Sequence, residues 1–197
     1  MYLGSHPAID LLNTAFAPDG ERFETIGDGR TFMEWLVGAG LLDAAVATGL
    51  SRHLGEKALD ATAAEARKVR EWARSWLTRW RAAPRRDYSD EITTLNKLLA
   101  REARYRKVVA AGRALDVVER SRIDDAPALL AVVAGSIASL VSEEDAALVR
   151  SCAGAGCTLW FLDRSRAHRR AFCSASVCGN RAKVAAFRAR ASRSDAK

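Results

Sequence analysis

Proline is scarce in this 197-residue sequence, with 4 residues, and glycine reaches only 13. Those counts exclude collagen-like and low-complexity classes. Charged residues at 28% and hydrophobic residues at 49% are ordinary globular values, so wholesale disorder is excluded as well. The length suits one large domain or two small ones.

Long hydrophobic runs are also missing. The longest weakly polar stretch, Ala126–Val141, has sixteen residues and includes two serines and a glycine. Asp124 and Asp125 precede it, and Glu143 to Asp145 follow. A membrane span needs roughly 20 residues, so a buried core helix is expected and no membrane partner. Met1–Ile9 has neither a basic n-region nor an apolar h-region, and a cytoplasmic location is expected. There is no nucleophile elbow, P-loop, Gly-rich dinucleotide fingerprint or His-Glu-x2-His motif. The chain is therefore expected not to be an enzyme.

Two further absences divide the chain. Cysteine does not occur before Cys152, and acids nearly vanish after Val149. Residues 150–197 carry 11 basic and 2 acidic side chains (Asp163 and Asp195), net +9, whereas residues 1–149 carry 20 and 22, net −2. Such asymmetry suggests a polyanion-binding end, with a solubilising basic tail as the alternative.

The first part reads as mostly helical. Ala8–Ala15 is too short for its period to separate strand from helix. Pro18–Gly20 marks a turn, and Phe23–Ile26 suits a short strand. Thr31 with Glu34 forms a capping-box pattern before a helix over Phe32–Val37, and Asp43 caps another short helix. In Glu56–Ala83, Leu59, Ala63, Ala66, Val69, Ala73, Trp76 and Trp80 recur at three- and four-residue steps. That stripe predicts a long amphipathic helix ended by Pro84. Trp72, Trp76 and Trp80 fit core packing better than a ligand box. Ser89 is positioned to cap a helix over Asp90–Ala103. Tyr105–Ser121 switches to alternation around Ala111-Gly112-Arg113, which predicts a β-hairpin. Asp125 and Pro127 start the apolar helix. His6, Asp10, Asn13 and Thr14 lie close together among apolar residues. Asp10, Asn13 and Thr14 are candidates for a ligand or partner pocket, or else they cap helices and satisfy buried backbone.

The four cysteines read C-x4-C, fifteen residues, C-x4-C: Cys152, Cys157, Cys173 and Cys178. Two close pairs of thiols match a tetrahedral site for one structural Zn²⁺. The small residues Ala153–Gly156 let one loop fold back on an ion. Thr158–Asp163 is suited to a short strand. A segment of 48 residues is too small to hold itself by core burial, and a metal would supply folding energy. Disulfides fit poorly with a chain lacking a signal peptide. A catalytic zinc would keep an open position that four thiolates fill. Buried free thiols remain an alternative, and His168 is a possible substitute ligand.

Basic residues surround this site. Arg164, Arg166, Arg169 and Arg170 lie between the pairs; Arg181, Lys183, Arg188 and Arg190 follow on a helix-compatible stretch. Four thiolates and Zn²⁺ sum to −2, leaving the segment near +7. Guanidinium groups suit phosphate, so these eight residues are the candidate nucleic-acid contacts, DNA ahead of RNA. Alternatively they dock on the acidic first part or brace the thiolates. The fold class expected is mainly α with small β elements (α+β). A helical domain over 1–145 with a β-hairpin precedes a C-terminal four-cysteine zinc-ribbon-like finger with a basic helix over 146–197.

These residues resemble a family. Cys152-x4-Cys157-Thr-Leu-Trp-Phe-Leu-Asp163-x-Ser165-Arg166 and Arg170-x-Phe-Cys173-Ser-x3-Cys178-Gly179-Asn180-Arg181-x-Lys183 are similar to the bacterial CGNR zinc finger, named for the tetrad at Cys178–Arg181. Phe172 stands where that family tends to have Trp. Ala8-Ile-Asp10-Leu-Leu-Asn13-Thr14, Trp35-Leu36 and Arg67-x2-Arg70 resemble the ABATE domain that usually precedes this finger. The resemblance implies a stress-related transcription regulator whose finger binds nucleic acid and whose first domain senses a ligand or partner. The alternatives are a protein-interaction module, with Leu159-Trp160-Phe161-Leu162 as an exposed anchor, or a small-molecule-binding protein or enzyme using an N-terminal pocket.

Overall fold

A computed structural model describes residues 5–17 and 21–194. The turn expected at Pro18–Gly20 lies outside them. In chain order the elements are α1 (Pro7–Leu12), β1 (Ala15–Phe16), β2 (Phe23–Glu24), α2 (Gly29–Gly38) and α3 (Ala44–Leu54). Next come α4 (Glu56–Ala82), α5 (Ser89–Leu99), β3 (Ala103–Ala111), β4 (Ala114–Arg122) and α6 (Leu129–Glu143). The last are β5 (Val149–Ser151), β6 (Trp160–Leu162) and α7 (Asn180–Ser194). The class is mainly α, with three two-stranded antiparallel sheets among the described residues, β1-β2, β3-β4 and β5-β6.

The spine is α4. Its apolar stripe from Leu59 to Trp80 is buried throughout. Trp76 meets Trp72 at 5.4 Å and Tyr88 at 6.4 Å between ring centroids, so the tryptophan ladder is core. α6 packs on α1, α4 and α5, and buries Leu129, Leu130, Val133, Ile137 and Leu140. By length and composition alone the segment Ala126–Glu143 could cross a membrane; here its apolar face lies in the protein core.

Two helix starts differ from the sequence reading. α2 begins at Gly29, not Phe32, because Asp28 is the cap: its carboxylate accepts from the Thr31 N–H at 2.8 Å. The Thr31 hydroxyl in turn accepts from the Asp28 N–H at 3.0 Å, while Glu34 pairs with Arg30 instead. A Cβ on Gly29 would lie 2.5 Å from that of Leu59, so glycine lets α2 reach the start of α4. α5 is started by Asp87, which accepts from the Ser89 N–H at 2.9 Å, and Ser89 itself makes no cap.

The hairpin forms with Gly112 in its turn, as expected, and its register sets Val108 opposite Val117. Strands β3 and β4 contact chiefly each other and leave Tyr105, Val108, Leu115 and Val117 exposed.

Three arginines on one face of α4 fasten the segment between α1 and α2. Arg67 donates to the carbonyls of Ile26 and Gly27 at 2.9 and 3.0 Å. Arg70 donates to the Thr14 hydroxyl at 2.8 Å and holds Glu24 through two bonds of 2.8 and 2.7 Å. Arg74 donates to the carbonyls of Leu12 and Ala15 at 2.5 and 3.2 Å. Steps of three and four residues put all three on one side of the helix. The Arg70 side chain is buried, which a guanidinium tolerates only with partners of this kind.

The same segment is joined to the C-terminal part. The Asn13 amide donates to the Trp160 carbonyl at 2.9 Å and accepts from the Trp160 N–H at 2.8 Å. Thr158 and Ala17 are linked by two further bonds of 2.8 and 3.2 Å. Strand alternation then gives β6 two cores. Trp160 and Leu162 join the helical core, while Leu159 and Phe161 pack with Cys152, Cys173 and Cys178.

Replacing Asn13 with Ala leaves both backbone groups of Trp160 buried without partners, at about 1–3 kcal/mol each. Urea denaturation of Asn13→Ala is therefore expected to show a loss of about 3 kcal/mol with zinc content unchanged. A loss under about 0.5 kcal/mol, the range of ordinary surface substitutions, would show that the joint is not structural.

Candidate metal centre and nucleic-acid interface

Cys152 follows β5, and Cys157 closes the short loop after it, where the Cys157 N–H donates to Gly154 at 3.0 Å. Cys173 precedes and Cys178 lies within a wide helical turn over Ala175–Gly179, which Ser174 caps and which runs into α7. The four Sγ atoms lie within 4.8 Å of one another. The Cys157–Cys173 and Cys173–Cys178 separations are 3.8 and 3.6 Å. A tetrahedron with Zn–S bonds of about 2.3 Å has edges of about 3.8 Å, so the thiols are spaced as a zinc ion requires.

The surroundings support a charged thiolate cluster. The Gly154 and Cys173 N–H groups donate to Cys152 Sγ at 3.4 and 3.3 Å. Burial pushes the Cys152 thiol up, but those two donors together with hydrogen bonds from the Cys173 and Cys157 thiols outweigh it, and the net shift is downward. Burial, with the Cys157 and Cys152 thiols, pushes Cys178 up to about 11 against a lowering hydrogen bond with Cys173, and burial with the neighbouring thiols pushes Cys173 higher still. Four crowded thiols cannot all ionise without a cation, and a divalent ion supplies the compensating charge. Gly154 leaves the necessary room: a Cβ there would lie 3.4 Å from both Cys152 Sγ and Cys178 Sγ. These residues fit one structural zinc held by Cys152, Cys157, Cys173 and Cys178. His168 is not a member; its Nδ1 lies 3.2 Å from the Asp163 carbonyl.

The loop between the cysteine pairs folds on Asp163, which is fully buried. Its carboxylate accepts from the Ser165 N–H and hydroxyl at 3.0 and 2.5 Å and from the Arg170 N–H at 2.9 Å. Arg150 faces it at 3.5 Å. Burial opposes ionisation, yet these donors and the Arg150 cation hold the carboxyl below its usual range.

The eight basic candidates separate into groups. Arg170 turns inward: its Nε donates to the Phe172 carbonyl at 2.9 Å, a second nitrogen donates to the Cys173 carbonyl, and the guanidinium stacks 4.3 Å from the Phe161 ring centroid. Arg164 pairs with Glu144 of the helical part. Arg164 thus docks on the helical part, and Arg170 braces the chain that leads into Cys173. Arg166, Arg169, Lys183 and Arg188 are exposed, with no acidic partner among the described residues. Arg181 and Arg190 each have an interaction within the chain. α7 carries Arg181, Lys183, Arg188 and Arg190 away from the metal site and is exposed along most of its length, Val184 and Phe187 included.

Asp10, Asn13 and Thr14 sit inside the fold. All three are buried, Asn13 holds Trp160, and Thr14 donates to the Leu11 carbonyl at 2.7 Å while accepting from Arg70. Leu159 to Leu162 are buried too, so they are not an exposed anchor. The sequence reading missed the roles of Asp163, Arg150, Arg74 and Glu24. Asp163, one of two acids in a stretch of net +9, was the available signal.

Purified protein is expected to contain one zinc per chain by elemental analysis. A strong chelator should melt the finger while the α4 core persists. Gly154→Ala is expected to weaken zinc retention in a chelator competition by about tenfold, as even supporting residues around metal ligands do. Unchanged retention would show that the loop has slack.

The profile of the ABATE family, described as "Putative stress-induced transcription regulator", matches residues 5–144, and that of the CGNR zinc finger matches residues 149–191. No curated protein compared with the chain matches it. The first match spans well over half of the chain, and the chain belongs to the ABATE family, with a CGNR zinc finger at its C-terminal end.

Proposed function

We propose that the chain is a cytoplasmic bacterial transcription regulator, not an enzyme, whose zinc finger binds nucleic acid, DNA in preference to RNA. One observation carries the reading. Lys183 and Arg188, on a helix that leads out from the metal site, and Arg166 and Arg169, in the loop between the cysteine pairs, are exposed with no acidic partner among the described residues. At about 1.5 Å per residue, the 15 residues of α7 extend about 22 Å. A helix of that kind fits a major groove about 12 Å wide. Zinc would fix the start of α7, and the cations would meet phosphate oxygens.

The helical domain is the proposed sensor. A groove of about 810 Å³ lies between α2, α3 and the start of α4, floored by Met33, Ala47 and Leu59 and rimmed by Arg30, Arg52 and Glu56. An apolar floor with a polar rim suits a small amphiphilic ligand. A second reading, protein interaction, is favoured by the hairpin. A two-stranded ribbon is marginal alone, and its exposed Val108, Leu115 and Val117 would gain from a partner.

Fluorescence anisotropy against random duplex DNA and single-stranded RNA tests the main reading. Four phosphate contacts predict a log–log salt slope of about −3.6, or a loss of about a hundredfold between about 50 and 200 mM salt. Glutamine at all four exposed cations should abolish most of that slope. Binding that is absent at low salt, or indifferent to zinc removal, would overturn the proposal.

A further inference from the structure

A second basic feature lies where the finger meets the helical body. A cleft of about 420 Å³ opens between the end of α4, β5 and the chain before Cys173. Arg81, Arg150 and Arg170 line it, with the Ser151 hydroxyl and the small walls of Ala147 and Ala171. Arg81 lies 4.6 Å from the Trp160 ring centroid and donates to Ser151 at 3.2 Å. No carboxylate pairs with it among the described residues. Arg150 donates to the Arg170 carbonyl at 3.3 Å, and the one acid near it is the buried Asp163, already held by Ser165 and Arg170. Of the three guanidinium groups, Arg150 alone lies near a carboxylate among the described residues, and that carboxylate is the fully buried Asp163. Burial lowers the pKa of Arg81, and the nearby Arg150 cation lowers it further.

Like charges gathered in a partly buried cleft repel, and an anion between them removes that cost. One arginine satisfies the two oxygens of a carboxylate. Several guanidinium groups and a hydroxyl arriving from different directions match the oxygens of a tetrahedral oxyanion instead. We propose that the seam cleft lined by Arg81, Arg150, Ser151 and Arg170 is a phosphate-binding site. The phosphate is either a diester of the nucleic-acid backbone or that of a free phosphorylated small molecule. As a nucleic-acid contact the site rests on the function proposed above; as a phosphate site it does not. Arg81 comes from the helical part and Arg150 and Arg170 from the finger, so a phosphate there would also tie the two together.

The test uses the full zinc-loaded chain and two variants. Arg81→Gln removes one cation. Ala147→Glu removes no contact of the protein and places a carboxylate at the exposed mouth of the cleft, where it competes for the arginines. Inorganic phosphate, compared with chloride at equal ionic strength, is expected to raise the wild-type Tm by about 3 °C at ten times its Kd. Both variants should lose that shift, with Ala147→Glu keeping at least the wild-type Tm without phosphate. If the phosphate belongs to nucleic acid, both variants also bind duplex DNA about tenfold more weakly, with a salt slope reduced by about 0.9. A lost phosphate shift with unchanged DNA affinity assigns the site to a free phosphorylated ligand. A phosphate shift in a protein that binds no DNA upholds the site while the nucleic-acid function fails. A wild-type Tm indifferent to phosphate, with both variants binding DNA normally, overturns the site and leaves DNA binding to α7. A shift that persists in both variants also overturns it.

Discussion

The pairing of Asn13 with both backbone groups of Trp160 makes a helical body and a metal loop one structure. A side-chain amide acts here as one more residue of sheet, offering a donor and an acceptor to β6 on the edge not paired with β5. Without it the strand's free edge would be buried and unsatisfied against α1. With it, β6 serves both sides: Trp160 and Leu162 complete the helical core, and Leu159 and Phe161 floor the metal site. A three-residue strand is too short to be stable alone, so its geometry is borrowed from Asn13 on one edge and β5 on the other.

Around that joint the arginines do two kinds of work. Arg67, Arg70, Arg74 and Arg170 point inward and are held by carbonyls, hydroxyls or carboxylates. Each replaces backbone hydrogen bonds that a short loop cannot make with itself. Arg166, Arg169, Lys183 and Arg188 point outward, and no acid neutralises them among the described residues. The net charge of the last 48 residues is therefore an imperfect guide to the charge presented to a partner. Part of it is structural, and the remainder is concentrated on α7 and its approach.

Zinc and Asp163 complete the finger in complementary ways. The metal gathers residues from both ends of the segment, Cys152 and Cys157 with Cys173 and Cys178. Asp163 orders the stretch between them by accepting from Ser165 and Arg170. A charged carboxylate is stable in that buried place because donors surround it. The finger thus has two anionic centres, one compensated by metal and one by donors and Arg150.

The sequence alone determined what depends on local period and on fixed chemistry. The α4 stripe, the apolar α6, the hairpin centred on Gly112 and the four metal-binding cysteines are each written in neighbouring residues or in close pairs. Helix starts were less legible, because Asp28 and Thr31 are both good caps and the choice fell to the fit of Gly29 against Leu59. Only the tertiary structure decided what Asn13, Thr14, Arg164 and Arg170 do. Their partners are distant in the chain or are backbone atoms, and neither leaves a periodic mark: Asn13 and Trp160 are 147 residues apart. A polar residue among apolar ones reads the same whether it lines a pocket or fastens a strand. The difference lies in what the fold brings within 3 Å of it.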